Sequence, residues 1–305
     1  MEFTKMHGCG NDYIYFDCTR QPMDRDLASQ LAVRLSDRHF GIGGDGIILI
    51  EKGQNADFEM VMYNADGSRG AMCGNGIRCV AKYVYDHKLT DKTTVTIASM
   101  GAVKTIDIQV QDGVAVGASV DMGAPILDPA AIPVVTDCKP PVDVPITVHD
   151  TVYKMTCVSM GNPHAVVFID RSPREFPLEQ VGPLFEHHPC FPDRTNTEFA
   201  FVQDRQNIEM RVWERGSGET LACGTGACAA VVAAVANGLC EKGRDITVRV
   251  QGGDLVAAIL GGYVDHRVTV HLLGGDLQIS WSGKAEDSVR MTGPATTVFS
   301  GKIDL

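Results

Sequence analysis

Residues 59–76 read Glu-Met-Val-Met-Tyr-Asn-Ala-Asp-Gly-Ser-Arg-Gly-Ala-Met-Cys-Gly-Asn-Gly, and residues 209–226 read Glu-Met-Arg-Val-Trp-Glu-Arg-Gly-Ser-Gly-Glu-Thr-Leu-Ala-Cys-Gly-Thr-Gly. At an offset of 150 the two stretches are identical at five of eighteen positions, where background composition gives about one. The identical pairs are Glu59 and Glu209, Met60 and Met210, Cys73 and Cys223, Gly74 and Gly224, and Gly76 and Gly226. Because this period is too long for a solenoid, the repeat predicts two homologous domains.

A second match fixes the extent of the two copies. At an offset of 151, Gly10-Asn11 falls on Gly161-Asn162, and each pair precedes an apolar run. The length of 305 residues also suggests two domains, at roughly 150 residues each. Prolines at 140, 141 and 145 interrupt the pattern between the copies. We therefore expect one half over residues 1–145, with the first repeated cysteine, and one over 146–305, with the second.

The overall composition excludes several classes of protein. The chain has 38 acidic residues against 27 Lys and Arg, a net charge of −11, and it is 44% hydrophobic and 21% charged. That balance is typical of a folded chain with a large core. Nucleic-acid binding is disfavoured because it depends on clustered basic side chains. No apolar run reaches the roughly 18 residues that cross a bilayer, and the polar first residues are not a signal peptide. We expect a cytoplasmic protein.

Each half is rich in predicted strands and contains one long central helix. Runs of β-branched and apolar residues predict strands at 47–50, 58–63, 95–98, 114–120, 157–160, 165–169, 208–213, 246–250 and 268–272. Helical spacing predicts helices at 24–38, directly after Cys73, and over 227–236. The last of these is almost wholly Ala and Val, so we expect it to be buried at the centre of its domain. The predicted fold class is α/β, of the α+β kind.

The repeated motif places a cysteine before a glycine-rich helix start, in Cys73-Gly-Asn-Gly and Cys223-Gly-Thr-Gly. Open backbone N–H groups and the positive end of the helix dipole attract an anion there and also stabilise a thiolate. One such site alone could equally be an isolated reactive cysteine or a tight turn. Two copies predict two thiols that face a common cleft from opposite sides. Such a pair suits a racemase or epimerase, which removes a proton from one face of a carbon and returns one to the other.

The carbanion formed in such a reaction needs electrostatic help. A substrate carboxylate held by the amides of Gly74, Asn75, Gly224 and Thr225 would have its growing negative charge stabilised by both helix dipoles. The sequence contains no pyridoxal phosphate lysine motif, and the scheme needs neither cofactor nor metal. His164 and Glu214 are the candidates for activating the thiols. For His164, the alternative is a hydrogen-bonded strand residue without a catalytic role.

A larger set of motifs resembles one known family. These motifs are Met6-His-Gly-Cys-Gly-Asn-Asp12, Tyr63-Asn-Ala-Asp-Gly-Ser68, Met72-Cys-Gly-Asn-Gly-Ile-Arg-Cys79, Gly161-Asn-Pro-His164 and Glu214-Arg-Gly-Ser-Gly-Glu-Thr-Leu-Ala-Cys-Gly-Thr-Gly-Ala227. In this order they resemble the diaminopimelate epimerase family. The resemblance implies cofactor-independent, two-base interconversion of LL- and meso-diaminopimelate for lysine and peptidoglycan synthesis. It also implies a homodimer, and two pseudo-symmetric domains that each wrap a curved, mostly antiparallel sheet around a central helix.

The resemblance also assigns site residues. Cys73 and Cys223 take the acid/base roles, and His164 and Glu214 assist the two thiols. The residues that match the family's substrate-holding groups are Asn11, Asn64, Asn162, Asn196, Glu214 and Arg215. A substrate with two ammonium and two carboxylate groups needs both acceptors and a cation, which this set supplies. One position departs from some members, because Gly46 stands where they carry Gln, and a contact there is lost or made by backbone or water.

Other interpretations remain at this point. Related proline racemases and hydroxyproline epimerases also use paired cysteines, and a non-catalytic binding protein of the same architecture is a further alternative. Gly41-Ile-Gly-Gly-Asp-Gly46 has the dinucleotide-binding pattern but leads into a strand, which disfavours a nicotinamide enzyme. His187-His-Pro-Cys190 lacks a second Cys/His pair, so we expect no zinc site. If the empty site closes, an oxidant could join Cys73 to Cys223 in an inactivating disulfide.

Overall fold

The structure, a computed structural model, describes residues 1–70, 72–205, 207–240, 247–249, 268–272 and 275–304. The chain divides into two compact units: the first is Met1–Asp121 with Thr292–Leu305, and the second is Met122–Met291. The predicted halves, 1–145 and 146–305, describe the sequence repeat and stay a prediction. The compact units differ from them because the C-terminal strand pairs with the N-terminal one.

The described part of the first unit contains two helices and a sheet of short strands. Its elements are β1 (Glu2–Gly8), β2 (Asn11–Asp17), α1 (Arg25–Ser36), β3 (Gly46–Lys52), β4 (Phe58–Asn64), β5 (Arg69–Gly70), α2 (Gly74–Asp86), β6 (Thr94–Ser99), β7 (Ala102–Gln111) and β8 (Val114–Gly123), and, near the C-terminus, β18 (Val289–Pro294) and β19 (Thr296–Lys302). The ends of β8 and β18 extend past the unit boundaries.

The second unit repeats the pattern of strands around a helix. Its described elements are β9 (Val144–Val148), β10 (Thr151–Ser159), β11 (Pro163–Phe168), a 3-10 turn (Pro173–Glu175), α3 (Leu178–Glu186), β12 (Asn196–Asp204), β13 (Asn207–Glu214), β14 (Gly218–Glu219), α4 (Gly224–Ala236), β15 (Thr247–Arg249), β16 (Val268–Leu272) and β17 (Gly275–Ser280). Antiparallel pairings predominate in both units, and the predicted α+β class is confirmed.

Strand register in the first unit brings its site residues to one end of the sheet. β2 pairs in parallel with β3, with Ile14 opposite Ile47, and β3 pairs antiparallel with β4, with Ile47 opposite Tyr63. The same β3–β4 pairing sets Gly46 opposite Asn64. β1 lies between β2 and β19 and is antiparallel to both. Its buried polar side chains have partners on these two strands, because Lys5 pairs with Asp12 and the Thr4 hydroxyl lies 3.0 Å from that of Ser300.

Strand register in the second unit follows the same scheme. β11 pairs in parallel with β12, with Ala165 opposite Thr197, and β12 pairs antiparallel with β13, with Thr197 opposite Trp213. These partners lie 150 or 151 residues after Ile14, Ile47 and Tyr63. The register places His164 opposite Asn196 at the start of both strands. Two residues singled out from sequence are thus neighbours on adjacent strands.

The helices after the two repeated cysteines are central to their units. α2 is buried from Gly74 to Val84 and contacts β1, β2, β6 and β7. α4 contacts β10, β11, β12 and β17, and nearly all of it is buried, so the prediction of a central apolar helix is confirmed. Within the described ranges, no helix combines the length and apolarity that crossing a bilayer requires.

Several strands were not predicted from the sequence. β1 and β12 bury polar residues such as Lys5 and Glu198 next to apolar ones, which hides the alternation typical of strands. β7 and β9 do alternate, as in the buried Val144, Ile146 and Val148 of β9, and they were overlooked. The helix predicted over 24–38 spans Arg25–Ser36, with the side chain of Asp24 as its N-cap. Only Thr247–Arg249 of the strand predicted at 246–250 falls within the described residues.

Candidate active site

Cys73 occupies the N-cap position of α2. Its backbone is extended, at φ −131° and ψ 112°, and its Sγ accepts a hydrogen bond of 3.2 Å from the N–H of Gly76. A Cβ added to Gly76 would lie 2.7 Å from Ile48 Cδ1 and 3.4 Å from Cys73 Sγ. Only a glycine leaves this approach open without displacing a neighbour. The predicted arrangement, a thiol over the bare amides of a helix start, is present here.

Asn11 is the side-chain partner of Cys73. The thiol lies 3.1 Å from Asn11 Oδ1 and donates to it, and Asn11 Nδ2 donates to Asp45 Oδ2 at 2.7 Å. Arg38 in turn donates to Asp45 Oδ1 at 2.9 Å. Burial raises the pKa of Asp45. Sequence reasoning identified Asn11 but missed Asp45, which fixes which end of the Asn11 amide faces the thiol.

Asn75, the second residue of α2, is buried and tied to a buried cation. Its Oδ1 accepts from Arg78 Nη2 at 2.7 Å, and Arg78 Nη1 donates to the carbonyl of Gly74 at 3.0 Å. Arg78 is 0% exposed, the largest fully buried side chain in the described chain. The guanidinium therefore stabilises the first turn of α2 through hydrogen bonds to its first two residues. A charged residue within an otherwise buried helix was the sequence signal that could have identified it.

Asn64 and Gly46 lie opposite each other on β4 and β3. Asn64 Nδ2 donates to Ser68 Oγ at 2.9 Å in the turn after β4, and the structure gives it no contact with Cys73 among the hydrogen bonds of the described residues. At Gly46, where some family members carry Gln, an added Cβ would overlap the carbonyl oxygen of Tyr63. The backbone conformation at this position therefore suits glycine and excludes the glutamine side chain.

Cys223 repeats the geometry of Cys73 at the start of α4. Its backbone is extended, at φ −118° and ψ 105°, and its Sγ accepts from the N–H of Gly226 at 3.4 Å. The Thr225 hydroxyl lies 3.5 Å from the same sulfur, and Cys223 is only 5% exposed. Gly224 and Gly226 are buried with it, so the helix start again presents little beyond backbone.

Charges around Cys223 oppose its ionisation. Burial, followed by the negative charges of Glu214 and Glu198, raises the pKa of the Cys223 thiol well above its usual value, against hydrogen bonds from Thr225 and Gly226. Burial also raises the pKa of Glu214, against a hydrogen bond from the Thr220 hydroxyl. Glu214 therefore lies close to the second thiol, but its charge disfavours the thiolate, and its predicted role in activating a thiol stays a prediction.

His164 lies in a buried chain of polar side chains. Its Nδ1 is 2.8 Å from Glu198 Oε1 and its Nε2 is 3.1 Å from Asn162 Oδ1. Asn162 Nδ2 donates to Thr225 Oγ1 at 3.2 Å, which links the chain to the side of Cys223. His164 and Glu198 are both 0% exposed. The alternative of a hydrogen-bonded strand residue describes His164 in part, but its hydrogen bonds lead to a catalytic candidate.

Glu198 was missed from sequence, although it lies at the middle of this group. Ligand atoms of His164, Glu198 and Cys223 all fall within 4.8 Å of one another, and these donor types are ones that zinc accepts. In the structure, however, His164 Nδ1 and Glu198 are hydrogen-bonded to each other. The prediction that the site uses no metal stays a prediction.

Asn196 and Arg215 are joined through the backbone. Asn196 is buried, its Nδ2 donates to the carbonyl of Pro163 at 3.0 Å, and its Oδ1 accepts from the backbone N–H of Arg215 at 2.8 Å. The exposed guanidinium of Arg215 donates to the carbonyl of Asp193 at 2.9 Å. Asn196 therefore has a positioning role in the second unit, while the Arg215 side chain is held by a single backbone carbonyl among the described contacts.

Comparison with known structures confirms the fold. The structure resembles a probable proline racemase from Agrobacterium radiobacter K84, with a TM-score of 0.68 at 15% identity over 100% of this chain and 93% of the other. It also resembles a hydroxyproline epimerase from Agrobacterium vitis, with a TM-score of 0.65 at 14% identity over 99% and 90%. At these identities the likeness concerns the fold alone.

Comparison of sequences is far closer. The family described as Diaminopimelate epimerase matches residues 3–127 and 156–262. A diaminopimelate epimerase of Methanococcus maripaludis is 50% identical over 100% of both chains. The enzyme of the same name from Acetivibrio thermocellus is 48% identical over 100% of this chain and 99% of its own, and that of Bacillus cereus is 44% identical over 98% and 96%. On both the matched residues and the full-length identity, this chain belongs to the diaminopimelate epimerase family.

Proposed function

We propose that this chain interconverts LL- and meso-diaminopimelate without a cofactor, with Cys73 and Cys223 as its two acid/base groups. One observation carries the proposal: each cysteine caps a central helix, and its sulfur accepts a hydrogen bond from a glycine amide of the first turn. Two chemically equivalent thiols in a member of this family are what a two-base reaction requires. The proposal further assigns the enzyme to lysine synthesis and to the cytoplasm, as a homodimer.

The reaction moves one proton off the substrate and one proton on. A thiolate takes the α-hydrogen, so that the C–H bond breaks, an S–H bond forms, and the electron pair passes into the α-carbon and its carboxylate. The other cysteine then gives its S–H proton to the opposite face of the carbon. No electrons are gained or lost. Because one thiol is formed and the other consumed, each turnover exchanges the protonation states of Cys73 and Cys223.

The carbanion is stabilised by the amides at the two helix starts. In this scheme the substrate carboxylate lies on the backbone N–H groups of Gly74 and Asn75, and on those of Gly224 and Thr225. The developing charge then meets fixed dipoles that need no reorganisation during the reaction. Glycines on either side of Asn75 and Thr225 support this role, since they leave the amides uncovered by side chains.

Polar side chains near each thiol are assigned to substrate recognition. They are Asn11, Asn64, Asn162, Asn196, Glu214 and Arg215. Asn11 supports this assignment through its hydrogen bond to Cys73, and Asn162 through its link to Thr225. His164 and Glu214 assist the thiols, and the hydrogen bond between the buried carboxyl group of Glu214 and Cys223 supports that role. The second ammonium and carboxylate of the substrate distinguish it from proline.

Incubation with LL-diaminopimelate in deuterated water tests the proposal. We expect deuterium at one α-carbon, together with formation of the meso isomer, in the absence of added pyridoxal phosphate or metal and in the presence of a chelator. Absence of both exchange and isomer formation would sink the assignment. Parallel incubations with proline and 4-hydroxyproline distinguish the alternative, since deuterium in either of these and none in diaminopimelate would favour a racemase of the related kind.

A further inference from the structure

The side chain of Glu198 is the most unusual buried group near the second thiol. It is 0% exposed on β12, and its Oε2 has no hydrogen-bond partner among the described residues. A buried carboxylate with an unpartnered oxygen is costly to keep, and an apolar residue of similar volume would commonly be as stable or more so. Glu198 therefore needs an explanation beyond stability.

The repeat supplies a direct comparison for this position. An offset of 150 places Glu198 on Ile48 of β3, and both residues lie directly beneath a glycine of the helix start. At Gly76 the nearest atom to an added Cβ is the Ile48 Cδ1 methyl, and at Gly226 it is Glu198 Oε1. The first unit therefore forms the same helix start over an apolar side chain, and a carboxylate is not required for this fold.

A chain of hydrogen bonds through His164, Asn162 and Thr225 links Glu198 to the sulfur of Cys223, and from His164 onward each residue donates to the next one towards the sulfur. Asn162 Nδ2 donates to Thr225, so Asn162 Oδ1 faces His164 Nε2 and needs a hydrogen from it. With Nε2 carrying the hydrogen that Asn162 Oδ1 accepts, the contact of His164 Nδ1 with Glu198 Oε1 needs a second proton between them, on the ring or on the carboxyl group. Thr225, having accepted from Asn162, has its own hydroxyl hydrogen left to donate towards Cys223 Sγ at 3.5 Å.

We propose that Glu198 is a positioning residue for Cys223, acting through His164, Asn162 and Thr225 so that the last hydroxyl in the chain donates to the sulfur. In this arrangement the thiolate form of Cys223 receives two hydrogen bonds, from Thr225 and from the N–H of Gly226. Without the carboxylate, the His164 ring loses the partner that fixes its orientation. The inference rests on the proposed function, because it gives Glu198 a role in a proton transfer made by Cys223.

Two variants separate hydrogen bonding from charge. Glu198→Ile copies the first unit and removes both, whereas the amide of Glu198→Gln can still hydrogen-bond to His164 Nδ1. We expect Glu198→Ile to lower kcat about 100-fold with KM within about threefold, and Glu198→Gln to stay within about tenfold of the wild type. Glu209→Gln is the matched control: it removes a buried carboxylate on β13 that is bonded to Gln203, and we expect wild-type kinetics.

A readout independent of turnover is alkylation by iodoacetamide, followed by mass spectrometry at each cysteine. Loss of the negative charge favours the thiolate in both variants, but only Glu198→Ile also loses the hydrogen bond that Thr225 donates. We therefore expect the pH of half-maximal Cys223 alkylation to be higher in Glu198→Ile than in Glu198→Gln, with alkylation of Cys73 unchanged in both. We also expect the melting temperature of Glu198→Ile to equal or exceed that of the wild type. A merely structural role for Glu198 would instead lower it. Wild-type kcat in Glu198→Ile, equal defects in the isoleucine and glutamine variants, or the same midpoint of Cys223 alkylation in both variants would each overturn the proposal.

The proposal remains testable if the Glu198→Ile variant does not fold. Glu198, Glu214 and His164 are the titratable groups that face Cys223 among the described residues of the second unit. If Glu198→Ile does not fold, Thr225→Val decides, because it removes the hydroxyl through which Glu198 acts: the pH of half-maximal Cys223 alkylation should rise, and an unshifted midpoint overturns the proposal. If the wild type itself exchanges no deuterium into diaminopimelate, the proposed function fails, whatever the outcome for Glu198.

Discussion

Cys73 and Cys223 begin two helices with the same backbone and different surroundings. Both are N-caps in extended conformation, and both sulfurs accept a hydrogen bond from the glycine three residues on. Around Cys73, however, the thiol donates to a neutral amide, and a buried Arg78 stands behind the helix start. Around Cys223 the neighbours include two acidic side chains, Glu198 and Glu214, which raise its pKa.

The comparison shows that the two functions of the motif, anion binding and control of thiol ionisation, depend on different parts of the structure. The repeated Cys-Gly-x-Gly backbone provides amides for an anion, and it is the same in both units. Side chains on neighbouring strands decide how readily each sulfur gives up its proton, and these have diverged: Ile48 corresponds to Glu198, and Arg78 to Cys228. A two-base enzyme needs one thiol and one thiolate at the start of each turnover, so unequal surroundings suit it better than a perfect copy.

Removal of either sulfur should have the largest effect. We expect Cys73→Ala and Cys223→Ala each to lower kcat by about 1,000-fold or more, because the proton transfer at one face of the carbon then has no side-chain acid or base. Isomer formation measured with purified LL-diaminopimelate checks this. Cys138→Ala, at an exposed cysteine, is the control and should behave as the wild type. Wild-type turnover in either active-site variant would exclude the two-base scheme.

Alanine substitutions at Gly76 and Gly226 should lower kcat by different amounts at the two cysteine sites. In Gly226→Ala the new methyl overlaps Glu198 Oε1, a hydrogen-bonded buried carboxylate, and we expect kcat to fall about 100-fold. In Gly76→Ala the methyl meets the Ile48 Cδ1 end, which can rotate away, and we expect a loss of about tenfold. Steady-state kinetics on both variants measures the ratio, and equal losses would contradict the contrast drawn between Ile48 and Glu198.

Replacement of the buried cation should act on stability. Arg78→Met removes the guanidinium hydrogen bonds to the Gly74 carbonyl and to Asn75 Oδ1, and we expect the free energy of unfolding to fall by about 2–4 kcal/mol. Cys228→Ala, at the corresponding position of α4, deletes only a small buried sulfur and should cost about 1 kcal/mol. Urea unfolding followed by circular dichroism gives both values. An Arg78→Met protein as stable as the wild type would show that the guanidinium does not stabilise the first turn of α2.

A change at Glu214 should produce the smallest effect. Since the raised pKa keeps Cys223 protonated through neutral pH, its alkylation should increase only above the usual cysteine pKa of about 8.5. Glu214→Gln removes one of the negative charges responsible, so the midpoint should move to lower pH. Mass spectrometry of iodoacetamide-treated protein over a pH series measures the shift, with Cys138 as the exposed reference. No shift, or an upward one, would remove Glu214 from the environment of Cys223.

Much of this site was predictable because its signals are local in sequence. The repeat, the cysteines before glycine-rich helices and the buried Ala- and Val-rich helix over Gly224–Ala236 all appear in contiguous stretches. Asn11 and His164 were identified with them. The structure places Asn11 beside Cys73 and His164 in the hydrogen-bonded group next to Cys223. These residues lie within a few positions of an unusual motif, which is why sequence reasoning reached them.

What was missed depends on pairing between distant segments. Asn196–Asp204 was not predicted as a strand because α3 and α4 both pack against it, so that Thr197 and Glu198 are both buried and no alternation is visible. An acidic residue in such a stretch resembles a solvent-facing one until its partner is known. Arg78 was overlooked for the same reason, since its acceptors include the carbonyl of Pro294 from the far end of the chain.

The pairing of β1 with β19 also orders events during synthesis. β1 leaves the ribosome first, yet its antiparallel neighbour Thr296–Lys302 is made last, after the whole of the second unit. At ribosomal speeds of about 5–20 residues per second, the edge of β1 that pairs with β19 stays unpaired for on the order of tens of seconds. The contiguous segment Met122–Met291 has all its strands by then. The second cysteine therefore enters a completed sheet before the first one does, and nascent chains halted short of β19 should carry a reactive Cys73 in an unfinished unit.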